Sequence, residues 1–189
     1  MISSDNSYFN VPHEFTAYLE PWQQESLPDE TALKEMQSVG LKLITEVKEL
    51  ENACLLQLRN LDNEAKAVVD FLKLQSRKVD LVLQYVLEKE TQHGQKHPGL
   101  SFGGSGFTIS SATPLTVGQQ FKTTLYIREE LINILCIATV TATSSEDGIH
   151  RGQLEYSAIL ESDIEQLVQA SLRVQQKQLR ARKQAQAGS

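Results

Sequence analysis

His93 and His97 stand four residues apart, the spacing at which one helical face can hold a divalent metal. Gly94 and Pro98 break that helix and nothing nearby completes a donor set, so both read as loop histidines and no metal is expected. The serines include no Gly-x-Ser-x-Gly elbow, and the four histidines supply no base and orienting group for a nucleophile. No catalytic residue is assigned, and the chain reads as noncatalytic. The two cysteines, Cys54 and Cys136, each lie in an apolar setting and read as small buried hydrophobes, with no disulfide and a reducing cytoplasm as compartment. Five bases between Arg173 and Lys183 suit the negative pole of a C-terminal helix. Their alternative is contact with nucleic acid or an acidic partner. The formal charge of −6 argues against nucleic acid.

The longest ordered pattern lies elsewhere. From Ser26 to Glu90, apolar residues recur in steps of three and four, a mean period near that of helices that wrap around one another. The predicted contacts are Leu43, Val47, Leu50, Cys54, Leu58, Leu61, Val68, Leu72, Val79 and Val82. Gly40 and Gln75 interrupt the stripe, and adjacent steps of four at Cys54, Leu58 and Leu61 form a stutter. Ser26, Pro28 and Asp29 supply a helix start. If continuous, residues 26–90 would span on the order of 90 Å. A compact domain is much narrower. The helix therefore lies along something outside its own domain or folds back once, and it reads as a heptad-repeat oligomerisation element. Its late half adds Val69, Phe71, Leu74, Leu81, Leu83, Tyr85 and Leu87, so it has more than one surface to cover.

Ahead of the helix, residues 1–25 carry five aromatics and two prolines. They read as an arm that packs on the helix, or as a docking peptide for another protein. Beyond residue 98 the texture becomes β. Phe121, Thr123, Leu125 and Ile127 alternate with polar residues, Leu131 to Thr143 is a long apolar run, and Glu146-Asp147-Gly148 signals a hairpin. A last helix begins near Glu161. The class is α+β: a long N-terminal coiled-coil helix, then at residues 96–175 several short strands whose spacing suggests a small barrel or sandwich with a C-terminal helix, and a basic tail at 176–189.

From Gly99-Leu100-Ser101-Phe102-Gly103-Gly104 through Pro114 and Gly118, the chain resembles a PilZ domain. The resemblance implies a short β-barrel with a C-terminal helix and, in that family, a bacterial receptor for cyclic di-GMP. The family's Asp/Asn-x-Ser-x-x-Gly motif is met by Ser101 and Gly104, with Gly99 at the acid or amide position. Its Arg-x-x-x-Arg motif, in the loop before the barrel, falls on residues 92–98, where Lys96 is the one fixed charge. An altered site would draw on Lys96, Ser101 and Arg151. Arginine forks grip phosphates and guanine edges in ways a lone lysine does not. Losing two charge-assisted hydrogen bonds would cost about 3–6 kcal/mol. Some divergent PilZ proteins carry a long heptad helix before the barrel and assemble through it, and this chain is similar to them.

The expected protein is a regulatory or scaffolding homo-oligomer, a tetramer ahead of a dimer. It would act through protein–protein interaction in cyclic di-GMP-related signalling, with nucleotide binding lost or weak. The alternative is a working cyclic di-GMP receptor with an altered site. No other cofactor is expected. The partners are further copies of the chain and a protein that the sequence does not name. No apolar stretch approaches a membrane span.

Overall fold

The computed structural model describes residues 10–58, 66–146 and 148–187. The chain divides into two compact units, residues 34–92 and the remainder.

The larger unit is a closed antiparallel barrel in the order β1-β2-β3-β6-β5-β4. Its strands are β1 (Val11–Pro21), β2 (Gln95–Phe102), β3 (Gly106–Ser111), β4 (Gln120–Ile127), β5 (Ile132–Glu146) and β6 (Ile149–Ala158). Period-two alternation builds the interior. Phe15, Ala17 and Leu19 of β1 and Phe121, Thr123, Leu125 and Ile127 of β4 are buried between polar or half-buried neighbours. The apolar run of β5 is continuous because residues on both of its faces are buried. Phe102, Phe107, Ile109, Cys136 and Leu154 complete the core, and helix α4 (Glu161–Ala187) adds Leu167, Ala170 and Val174 to it.

α4 is held at its middle. Arg173 Nε lies 2.8 Å and Lys177 Nζ 2.7 Å from the two oxygens of Glu130, whose side chain is 3% exposed. Glu130 closes a 3-10 turn followed by Leu131 in the left-handed region, φ 56°. Gln178 Nε2 donates to the Pro12 carbonyl at 2.7 Å.

Several expectations change here. The expected arm is not an appendage: residues 11–21 form a barrel strand paired with both β2 and β4. The barrel therefore needs residues 11–21 and 95–158, and α4 runs on through the expected basic tail to Ala187. His97 and Lys96 stand in β2, not in a loop.

The smaller unit replaces the single long helix. Helix α1 (Glu30–Met36) precedes its two long helices, α2 (Val39–Leu58) and α3 (Lys66–Lys89). Asp29, not Ser26, caps α1, its carboxylate accepting the Ala32 amide at 2.8 Å. Ser38 Oγ caps α2 by accepting the Leu41 amide at 3.2 Å. α2 and α3 run antiparallel. Glu90, just after α3, accepts the Gly40 amide at 2.8 Å and the Ser38 hydroxyl at 2.7 Å, while the Ser76 hydroxyl reaches Glu51. A carboxylate at the start of α2 also suits its dipole. Gly40 packs closely in this closure: a Cβ there would lie 2.6 Å from Leu87 Cδ2 and 2.8 Å from Glu90 Oε1, side-chain ends that would have to shift. Of the two options open to the long stripe, the described residues show the fold-back.

Candidate functional site

The hairpin sorts its residues into seams. Leu41 and Ile44 of α2 and Leu83 and Leu87 of α3 are buried and share the stripes that Gly40, Glu51, Ser76 and Glu90 define between the helices. Farther from Glu90 this inner seam becomes polar. Burial and the nearby Glu51 raise the Asp80 pKa, against Lys48 and Arg77, which lower it.

The predicted oligomerisation stripe lies outside that seam. Leu43, Leu50, Cys54, Val68, Leu72, Val79 and Val82 are exposed and Val47 is half-buried, while Leu61 and the Leu58 side chain lie outside what the structure describes. Cys54 is thus an exposed residue in the single chain, not the buried one expected. At 100° per residue, the α2 members lie roughly 120° to one side of the inner seam and the α3 members roughly 90° to one side. In an antiparallel pair of right-handed helices those directions coincide, so both sets share one face of the hairpin. The opposite face carries Lys42, Thr45, Glu49, Asp70, Lys73 and Arg77. Val39, 80% exposed, extends the apolar face and was missed by the predicted contact set. Its signal was present, four residues before Leu43. The exposed apolar side chains amount to on the order of 700 Å², near the roughly 800 Å² that each partner gives to a standard interface. Isolated chains seldom leave that much contiguous apolar surface in water.

The ligand positions expected on the barrel do not converge. Lys96 is exposed on β2 opposite Tyr18. Arg151 is exposed on β6 opposite Ser110 and Ser144, with a guanidinium nitrogen 3.8 Å from Glu146. A depression of about 430 Å³ opens among Lys96, Pro98, Ser110 and Ile149. Ser101, half-buried between Pro12 and Thr108, is about 16 Å from Lys96 along β2 at the rise of an extended strand. Gly104 faces α4, and a Cβ there would fall 2.6 Å from Val168 Cγ2. Gly99 is buried, and a Cβ on it would fall 2.3 Å from the Phe15 ring. Phe15, which the sequence placed in the arm, is thus the residue that holds the motif position empty. Because β1 opens the barrel, residues 92–98 do not precede it: they follow α3 and run into β2.

His93 is exposed and His97 is buried, its Nδ1 3.3 Å from the Ser110 carbonyl. Burial lowers the His97 pKa against that bond, and because a carbonyl oxygen only accepts, Nδ1–H donates. Among the described residues no group of three or more His, Cys, Asp or Glu side chains could hold a metal. No helix among them is long and apolar enough to cross a membrane.

No family model matches the sequence, and no curated protein matches it. Solved structures similar to it include the following two. The Bacillus subtilis inhibitor of motility shares 19% identity over 47% of this chain and 45% of that one, with a TM-score of 0.42. A tetrameric PilZ domain protein of Xanthomonas campestris, self-assembled through a helical bundle, covers far more. It matches 94% of this chain and 93% of its own, at 13% identity and a TM-score of 0.54. The fold of this chain is thus PilZ-like over nearly its whole length, a six-stranded barrel with helices between its first and second strands.

Proposed function

We propose that the chain is a noncatalytic, cytoplasmic scaffold in cyclic di-GMP-related signalling. It assembles with its own copies through the apolar face of the α2–α3 hairpin and displays PilZ-like barrels to a protein partner. The observation that carries this is the apolar face itself, eight exposed or half-exposed stripe residues on two helices with a charged face behind them. The Xanthomonas neighbour, which assembles through a helical bundle, supports the same use of the hairpin. Gly99 packed under the Phe15 ring, and Lys96, Ser101 and Arg151 set apart on the barrel, support weak or lost nucleotide binding.

Light scattering on the purified protein should give a multiple of 21.2 kDa. A single-chain mass at micromolar concentration would overturn the proposal. Calorimetric titration with cyclic di-GMP should give no saturable heat. One observation favours the alternative receptor: the depression between Lys96 and Ser110, with Arg151 on the strand beside it. Saturable, stoichiometric binding abolished by Lys96→Ala would establish it instead.

A further inference from the structure

The hairpin face uses one side of α3 and leaves its outer edge uncovered. Phe71, Leu74, Leu81 and Tyr85 are 52–61% exposed. At 100° per residue they centre roughly 100° from Val79 and Val82 and nearly opposite the seam with α2. A partner helix covers a stripe of about that width, so whatever covers Val79 and Val82 leaves these four in water.

Their order along α3 indicates the occupant. Phe71 and Leu74 precede Lys78 by seven and four residues, and Leu81 and Tyr85 follow it by three and seven. The pattern is nearly palindromic about Lys78. A second copy of α3, antiparallel across a two-fold axis at Lys78, sets Phe71 against Tyr85 and Leu74 against Leu81, twice. An isologous contact needs that self-complementarity. The lysine stems can lie along the apolar stripe with their ammonium groups at the rim. In the single chain, Lys89 already holds its ammonium 5.2 Å from the Tyr85 ring centre.

We infer that the outer edge of α3 is a second self-association surface, distinct from the hairpin face, and that the two together close a four-chain assembly. Two different isologous contacts on one chain generate dihedral symmetry with four copies. Each edge exposes on the order of 400 Å² of apolar surface, little for a stable contact alone. Two chains joined by their hairpin faces present two such edges, so the second step joins pairs. This inference rests on the assembly proposed above.

The test is the mass of three full-length proteins in solution. The unmodified chain should be four-chain, and Leu81→Glu/Tyr85→Glu should be two-chain with unchanged circular dichroism. A four-chain or single-chain double variant would overturn the inference. Lys78→Cys in a Cys54→Ser background gives a readout that survives a folding failure of the double variant. Mild oxidation should link it into two-chain species across the axis, and the absence of linking would also overturn the inference. An unmodified chain that is two-chain refutes the second surface alone, whereas a single-chain mass refutes the proposed assembly itself.

Discussion

Gly99→Asn restores the amide that the PilZ ligand motif carries, yet it should damage the barrel rather than rebuild a site. A Cβ at residue 99 lies 2.3 Å from Phe15 Cδ1 and Cε1 and 2.4 Å from Cγ. Carbon atoms in favourable contact are about 3.5–4.0 Å apart, so the ring must move by more than 1 Å. Phe15 is 8% exposed and meets Phe102 and Phe107 edge-on, with centroids 6.1 and 6.2 Å away. Each such ring pair contributes about 0.5–1.5 kcal/mol beyond area burial. Partial exposure of a phenylalanine adds up to about 1.5–3 kcal/mol. Against these, replacing a strand glycine recovers roughly 0.5–1 kcal/mol of backbone entropy. The net expectation is a destabilisation of about 2–4 kcal/mol, consistent with overpacking elsewhere. Urea unfolding followed by circular dichroism should show a lower midpoint at unchanged slope. Phe15→Leu should rescue part of the loss, so the double variant costs less than the sum of the singles. A Gly99→Asn protein within about 0.5 kcal/mol of the parent, the scatter of a neutral surface change, would refute the packing argument. Cyclic di-GMP affinity should not rise in that variant.

Three further outcomes follow from the same geometry. Val82→Glu puts a charge into the proposed hairpin interface and should shift the light-scattering mass toward the single chain, with the barrel's β signal intact. Glu130→Gln should weaken the hold on α4 by about 1–2 kcal/mol, discounted because Arg173 and Lys177 are half-exposed, as read by hydrogen exchange of α4 amides. Burial raises the Glu130 pKa, but hydrogen bonds from Lys177 and Arg173 outweigh it and hold the group below the usual glutamate range. Its contribution is therefore present above the unfolded pKa and is lost as pH falls through the depressed value, so the Glu130→Gln penalty should vanish in strong acid. Asp80 is raised instead, so it opposes the hairpin at neutral pH, and that opposition eases as pH falls through its folded value. Asp80→Asn should raise the melting temperature at pH 7 and flatten its rise on mild acidification; a lower melting temperature at pH 7 would contradict this.

The local pattern alone carried much of this protein. Steps of three and four between Leu43 and Val82 announced helical structure with an apolar stripe, because helical periodicity is set residue by residue. Alternation from Phe121 to Ile127 and the turn at Gly148 announced strands for the same reason. Tertiary structure decided the rest. Phe15, Ala17 and Leu19 alternate as a strand should, but Pro12 and Pro21 flank them and their pairing partners Gly99, His97 and Gln95 lie about eighty residues away. No local signal reports a partner at that distance. The reversal of α2 on α3 depends on Glu90 meeting Ser38 and Gly40 across fifty residues, an interaction that a one-dimensional period does not contain. The vacancy at Gly99 likewise looked like a lost ligand group. Its physical cause is the Phe15 ring from another strand, a contact that exists only once the barrel has closed.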